Sequence, residues 1–305
     1  VANRNIAGDG KFDQSDFPSP VELAVGRVDM YDMPAFSSSE VQLMKNYLDR
    51  AHSFKIKGFT PTVRGIVFDN LQWVANPLAG SAYKSMAPCV LPGVITDCYP
   101  YGPAYSTFIN NQSYLWTYSS GGGLQATDNG VLTYNGADNI TTTQGFAGGV
   151  ANGGVFNMSF GSYFGDWDNR NNFLKAYIAS GNGLSSVWAG APNWWFHPMG
   201  LGEHIGTSVL QSMNNGAIYT PQNGGWQGNN FSRVHMGLMG DPTVRMVMTA
   251  PPNSLSVTNS GGNAAFSWGP AAGAAGYYLY KFDVAGVPQR IVPTMITGTT
   301  YNSPL

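Results

Sequence analysis

The chain has 305 residues, of which 15 are Lys or Arg and 17 are Asp or Glu, giving a formal net charge of −2. Charged residues make up only 10%, against ~25% in ordinary globular chains; Gly, Asn, Ser and Thr carry the polarity instead. There is no basic footprint for nucleic acid, and no stretch approaches the ~18 or more apolar residues of a membrane-spanning helix.

An uncharged, hydrogen-bonding surface fits an extracellular or cell-surface protein and a subunit that packs against copies of itself. The length allows one large domain plus a small one. The chain opens on VANRNIAGDG, which reads as a mature or trimmed start. In GDGKFDQSDF, Asp9, Asp13 and Asp16 are candidate calcium ligands through oxygen, although their spacing is not that of an EF-hand loop.

VELAVGRVDM (21–30) predicts a strand. Residues 37–54 predict an amphipathic helix, with a Ser-rich start, Glu40 in the first turn and Val41, Met44, Tyr47, Leu48 and Ala51 as the apolar face. TVRGIVFDN (62–70) reads as a buried strand ending in Asp69. APCVLPGVITDCYPYG holds the two cysteines, Cys89 and Cys98, around Pro and Gly. That loop could fold back and close a disulfide; the alternative is two unpaired thiols. No His or second Cys pair stands at metal-ligand spacing.

Further strands are expected at 113–123, 153–162 and 183–192, and helices at 171–180 and 200–216, the last stopped by Asn215-Gly216. FSRVHMGLMGDPTVRM (231–246) reads as a strand or helix end followed by a Gly-Asp-Pro turn. Asn-x-Ser/Thr triplets stand at Asn111, Asn139, Asn157 and Asn230, with Asn157 on a strand expected to be buried.

Strands alternating with helices predict an α/β domain over residues 1–250, a mostly parallel sheet with helices on both faces. Ligands in such sheets sit beyond the carboxyl ends of the strands. Here those ends are Asp69, Ser119–Gly123, Gly161–Gly165 and Gly190–Asn193, most of them glycine-rich. Past Ala250-Pro251-Pro252 the pattern changes to short alternating strands with Gly/Pro turns. Trp268 and the run Tyr277-Tyr278-Leu279-Tyr280 fit a small immunoglobulin-like or fibronectin type III sandwich over 251–305. Such a sandwich needs ~7 strands; roughly five can be counted, so it reads as apparently truncated or completed from elsewhere.

The segments VELAVGRVDM, ITTTQGF, GGVFNMSFGSYFGDWDNRNNFLKAYI, VWAGAPNWWF and MGLMGDPTVRM, in that order, resemble the catalytic domain of gingipain-type cysteine peptidases. These are secreted bacterial enzymes with a caspase-like fold followed by an immunoglobulin-like domain. The resemblance covers residues 20–250 and extends to the tail. It places the family's nucleophilic cysteine on Ser162, and the histidine of its Tyr-x-Gly-His-Gly turn on Tyr118–Gly123, nearest Gly121. Residues 134–137 offer a second placement that also lacks the histidine. Calcium is common in the family.

A serine without a matched base loses most of that chemistry, because its hydroxyl must give up a proton in the transition state. The histidines are His52, His197, His204 and His235. A Ser162–His197 pair, oriented by Asp166 or Glu203, is one candidate; structural histidines are the other. Asp166 and Asp168 are expected to cap the following helix rather than form an acid–base pair. Trp188, Trp194, Trp195 and Phe196 could line a carbohydrate or peptide groove; core or subunit-interface packing, which needs no ligand, is the favoured reading.

Three functions follow. The favoured one is a secreted pseudo-peptidase acting as a self-associating surface or filament subunit, with strand addition at the C-terminal domain. The others are a hydrolase using Ser162 and a glycan- or peptide-binding module.

Overall fold

The computed structural model describes residue 8 and residues 19–71, 78–98, 103–128, 131–137, 139–190, 193–215, 236–246, 248, 252–284 and 288–304. The chain divides into two compact units, one of Val1–His52 with Thr60–Met246 and the other of Ser53–Phe59 with Val247–Leu305.

The first unit runs β1 (Gly26–Arg27), α1 (Glu40–Lys55), β2 (Gly65–Asp69), α2 (Leu78–Met86), β3 (Ile95–Cys98), α3 (Tyr105–Ile109), β4 (Tyr114–Ser120), β5 (Gly123–Asp128), β6 (Val131–Ala137), β7 (Thr141–Thr142), α4 (Thr143–Ala147), β8 (Gly154–Phe160), α5 (Phe173–Ala179), β9 (Ser185–Trp188), α6 (His197–Gly200), α7 (Ile205–Met213) and β10 (Leu238–Gly240). Seven strands form one sheet in the order β1-β10-β9-β8-β4-β2-β3. From β9 to β3 every pairing is parallel; β10 joins β9 antiparallel and carries β1 beside it. The mixed α/β class, with a mostly parallel sheet, is as the alternation of strands and helices requires. A small antiparallel sheet of β5, β6 and β7 follows directly on β4; the sequence had suggested a single strand through Gly123.

The two faces of the central strands differ in chemistry because side chains alternate across a sheet. Trp116 and Phe156 meet on one face, ring centroids 5.2 Å apart, and Trp116 packs on Phe196 at 4.6 Å. On the other face Thr117 Oγ1 lies 2.9 Å from both Asn157 Oδ1 and the Tyr177 hydroxyl of α5. Asn157 donates to Ser159 Oγ at 3.0 Å and to Ser186 Oγ at 2.9 Å, and Ser119 Oγ meets Ser159 Oγ at 3.0 Å. The polar face is affordable because these buried groups satisfy one another. Burial of Asn157 removes it as a glycan acceptor, whereas Asn111 and Asn139 are exposed, each with φ of 58°. Asn230 lies outside the described residues.

Helix α1 turns a different face inward from the one its spacing suggested. Leu43, Tyr47 and Ala51 are buried at intervals of four, while Val41 is 78% and Leu48 55% exposed. Tyr47 fixes the rotation: its hydroxyl donates to Leu184 O at 2.8 Å and accepts from Asp241 N at 2.6 Å. The strand expected over 21–30 contracts to Gly26–Arg27. Gly26 is wedged there, since a Cβ on it would lie 2.2 Å from Gly240 O. Among the described residues no helix is long and apolar enough to cross a membrane.

The second unit contains two small antiparallel sheets. β11 (Ser256–Ser260), β12 (Asn263–Ser267) and β15 (Thr300–Pro304) form one, with β12 central; β13 (Tyr280–Phe282) and β14 (Pro288–Arg290) form the other. Trp268, Leu279 and Val292 make its core, flanked by partly buried Phe266, Tyr277, Ile291, Ile296 and Tyr301. Trp268 meets Tyr277 edge-on at 5.4 Å.

Candidate functional site

The carboxyl ends of β2, β4, β8 and β9 stand side by side. Asp69 registers with Ser120, Ser120 with Phe160, and Ser159 with Trp188. The Asp69 carboxylate accepts from Ser120 Oγ and from Leu71 N, both at 2.9 Å. Gly121 N–H continues the ladder by donating to Phe160 O at 3.0 Å. The chain leaving β4 then crosses the chain leaving β8 at very close range: a Cβ on Gly123 would fall 2.1 Å from Ser162 O. Only glycine fits that crossing, which accounts for part of the glycine cluster.

Beyond Phe160 the chain makes a tight turn. Ser162 is exposed at its tip, Tyr163 follows with φ of 70°, and Phe164 turns inward to stack on Phe173 at 4.3 Å. Side-chain amides hold this turn from below. Asn172 Nδ2 donates to Phe164 O at 2.9 Å and to Asp166 O at 3.1 Å, and Asn169 Nδ2 donates to Tyr163 O at 3.3 Å. Trp188 closes one side, its indole N–H donating to Gly161 O at 3.0 Å and its ring stacked on Phe160. The stretch FGSYFGDWDN is therefore a rigid hydroxyl-bearing elbow.

Among the described residues no histidine hydrogen-bonds to Ser162. His197 lies at the other end of the sheet. A Cβ on Gly65, the first residue of β2, would lie 2.2 Å from Met86 Sδ at the end of α2, and one on Gly200 the same distance from Pro88 O. Cys89 just beyond α2 contacts Phe196 O at 3.3 Å. Helix α6 thus sits at the amino edge. Gly65 registers with Trp116, four residues before Ser120, a run of ~13 Å along the strand. The proposed Ser162–His197 pair is not assembled. Burial holds the His197 imidazole below its ordinary pKa.

Neither His204 nor His52 replaces it. His204 caps α7, Nδ1 accepting from Thr207 N at 3.1 Å, and His52 is exposed on α1. His235 lies outside the described residues. At the position nearest the expected base, a Cβ on Gly121 would meet Ile140 Cδ1 at 2.9 Å and Ala137 Cβ at 3.0 Å, whereas Gly122 faces open space. Side chains of the β6–β7 region have taken the room at Gly121.

Two further expectations change, and the favoured packing of the aromatic group is seen for three of its four members. The cap of α5 is Asn172, whose Oδ1 accepts from Lys175 N at 3.1 Å; Asp166 and Asp168 are exposed in the preceding turn. A short polar residue directly at the first helical turn outcompetes carboxylates placed several residues earlier. Cys89 is a free, buried thiol turned toward Phe196 O rather than a partner of Cys98, and burial pushes its pKa up to about 12. Strand β3 carries Cys98 up to the register of Phe68, and the Cys98 side chain lies outside the described residues. Of the aromatic group, Trp194, Trp195 and Phe196 are core residues, Trp194 stacked on Phe196 at 5.6 Å; Trp188 alone is half-buried at the carboxyl edge.

Comparison with known proteins finds no matching family model, curated protein or solved structure. The chemistry at the edge must therefore be argued from its own residues. Asp9, Asp13 and Asp16 lie outside the described residues, and among the described residues no three His, Cys, Asp or Glu side chains gather as metal ligands would.

Sequence reasoning passed over one charged group. Lys175 of α5 is buried, its Nζ 3.1 Å from Asp29 Oδ2 and donating to Tyr31 O at 3.3 Å. Arg27 pairs with the same carboxylate oxygen, and its guanidinium lies 5.6 Å from the Trp167 ring centre. Burial raises the Asp29 pKa, but the Tyr31 N–H, Lys175 and Arg27 outweigh it and leave the carboxyl below its ordinary value. The available signal was a lone lysine inside the apolar run NNFLKAYIAS. This group locks the β1 exit to α5 and presents no unpaired reactive atom.

Proposed function

We propose that this chain is a gingipain-like pseudo-peptidase with a caspase-like first unit, working as a secreted, self-associating structural subunit of a surface layer or filament. The observation that carries the reading is the crossing of the β4 and β8 exits. The sequence resemblance puts Ser162 in the place of the family's cysteine; in the structure the neighbouring turn holds Gly121, Gly122 and Gly123, and no histidine bonds to the hydroxyl among the described residues. A serine hydroxyl without a base is a poor nucleophile at neutral pH. What remains is a well-packed elbow, supported by Asn169, Asn172 and Trp188, and a surface poor in charge. The exposed strands of the second unit support the self-associating part of the reading.

Two measurements on the full chain test it. A fluorophosphonate probe should leave the protein unlabelled between pH 6 and 9; stoichiometric labelling that disappears in Ser162→Ala would establish a hydrolase instead. Light scattering should show mass rising with concentration, and a monodisperse monomer at the highest concentrations would remove the structural role.

A further inference from the structure

The first unit holds a cleft of about 230 Å³ between the loop that follows β1 and the first turn of α1. Met30, Met33 and Leu43 line its buried part. Pro34 and Phe36 add further apolar lining. Asp32, half-buried, and Glu40, exposed, bring two carboxylates to its rim.

The walls are fixed from both sides. Asn171, buried just before α5, donates its N–H to Asp32 O at 2.8 Å and accepts from Ala35 N at 2.9 Å through Oδ1. Phe36 N donates to Met33 O at 3.0 Å. On the helix side Ser39 Oγ accepts from Gln42 N at 3.3 Å and Ser39 O from Leu43 N at 2.9 Å, which sets Glu40 and Leu43 in the opening turns of α1. A cleft formed before anything enters it, mostly apolar with a few placed polar groups, has the build of a small-molecule site.

Charge and lining together choose the occupant. Asp32 shares its charge with Arg170, whose Nε lies 3.5 Å from Oδ1. The Glu40 carboxylate has no ion pair or hydrogen bond among the described residues. Even with the partial positive charge of the α1 start, the rim stays negative and repels an anion. A neutral apolar group would cover the carboxylates without pairing them, which costs free energy. A primary ammonium brings three N–H donors, and the thioether, alkyl and phenyl groups inside are poor acceptors for them. A cation whose charge is spread over methyl groups needs no such acceptors. Its surface suits the methionines and Leu43, and its charge suits the carboxylates and the ring of Phe36.

We infer that this cleft binds a small quaternary ammonium group of the choline class, carried by a free solute or by a lipid headgroup. The inference goes beyond the structural role proposed above and does not depend on it.

Calorimetric titration of the full-length chain with choline, set against two analogues, is the test. The neutral analogue, with a tert-butyl group for the trimethylammonium, keeps the shape without the charge. Ethanolamine keeps the charge without the methyl groups. Choline should bind about fivefold or more tightly than either, the upper range for a partly exposed charge pair. Glu40→Gln changes an exposed side chain, and Asp32→Asn keeps a residue that tolerates φ of 54°. Each should weaken choline binding about twofold to fivefold and leave the neutral analogue unaffected. Phosphatidylcholine vesicles identify the source: pelleting of the protein with them, reversed by free choline, marks a headgroup site, and choline binding without pelleting marks a site for the free solute. Equal affinity for choline and the neutral analogue would overturn the inference. So would tighter binding of ethanolamine, choline affinity unchanged in both variants, or no binding of choline at all.

Discussion

The central sheet of the first unit and the β13–β14 ribbon of the second use similar residues to opposite ends. In the sheet, Trp116 and Phe156 are buried between α6 and neighbouring strands, and even the polar face finds partners in Asn157, Ser159 and Tyr177. In the ribbon Tyr280 and Phe282 stand in water, and the core cluster of its unit is small, built on Trp268, Leu279 and Val292. In the first region Thr117, Asn157, Ser159 and Tyr177 pair with one another, while the Ser185 hydroxyl is buried without a hydrogen-bond partner among the described residues; the second leaves aromatic rings exposed. A large buried sheet suits a scaffold, and a small core with exposed rings suits a joint between chains.

The deepest break of the scaffold is expected at Lys175. Truncation to Ala leaves Asp29 beside Arg27 alone, removes the donor to Tyr31 O, and opens space under α5. Breaking one side of a buried ion pair costs ~3–5 kcal/mol, so Lys175→Ala should lower the melting temperature more than any exposed substitution. The pH dependence has a definite sign. Asp29 is held below the ordinary carboxylate range, so its ionised form contributes stability fully above that range and loses it as pH falls through the lowered value. Wild type should therefore lose stability in acid where Lys175→Ala, already missing the pair, loses less. Equal acid sensitivity in thermal melts would place the acid-labile interaction elsewhere.

Much of the scaffold was legible in the sequence, and the reasons are physical. β2, β4, β8 and β9 were visible because both faces of their parallel strands are buried, which demands continuous runs of apolar and small residues. The glycine-rich strand ends were visible for the reason Gly123 demonstrates, a backbone crossing that excludes any Cβ. The fate of His197 was not visible: its place at the amino edge depends on how Phe196 and Gly200 dock on the end of α2, a contact between segments over a hundred residues apart. Cys89 and Cys98 were close in sequence, yet Cys89 turns its buried thiol to Phe196 O just beyond α2 while β3 carries Cys98 along the sheet to the register of Phe68. The inward face of α1 was set by Tyr47 reaching Leu184 and Asp241, again a tertiary choice among several helical stripes.

A smaller loss is expected inside the sheet. Asn157→Ala removes the acceptor of Thr117 and the donor to Ser159 and Ser186 while adding only a small void. Leaving buried hydroxyls without their partner costs ~1–3 kcal/mol. Denaturant unfolding should report a shifted midpoint with an unchanged slope. A neutral result would mean that the serines and Thr117 re-pair among themselves, and that the polar face is looser than its hydrogen bonds suggest.

The smallest effect should come from the ribbon, and it separates the two regions most sharply. Tyr278→Ser and Tyr280→Ser remove large aromatic rings, which in the sheet would be severe. Here the rings are about half exposed, and surface substitutions away from packed features usually stay within ~0.5 kcal/mol. Unfolding of dilute, monomeric protein should therefore barely change for Tyr280→Ser, and only slightly more for Tyr278→Ser, which also gives up the Arg290 contact. A loss above ~1.5 kcal/mol in either variant would lie well outside that range. It would show that these rings are already engaged within their own chain and offer no apolar surface to a second copy.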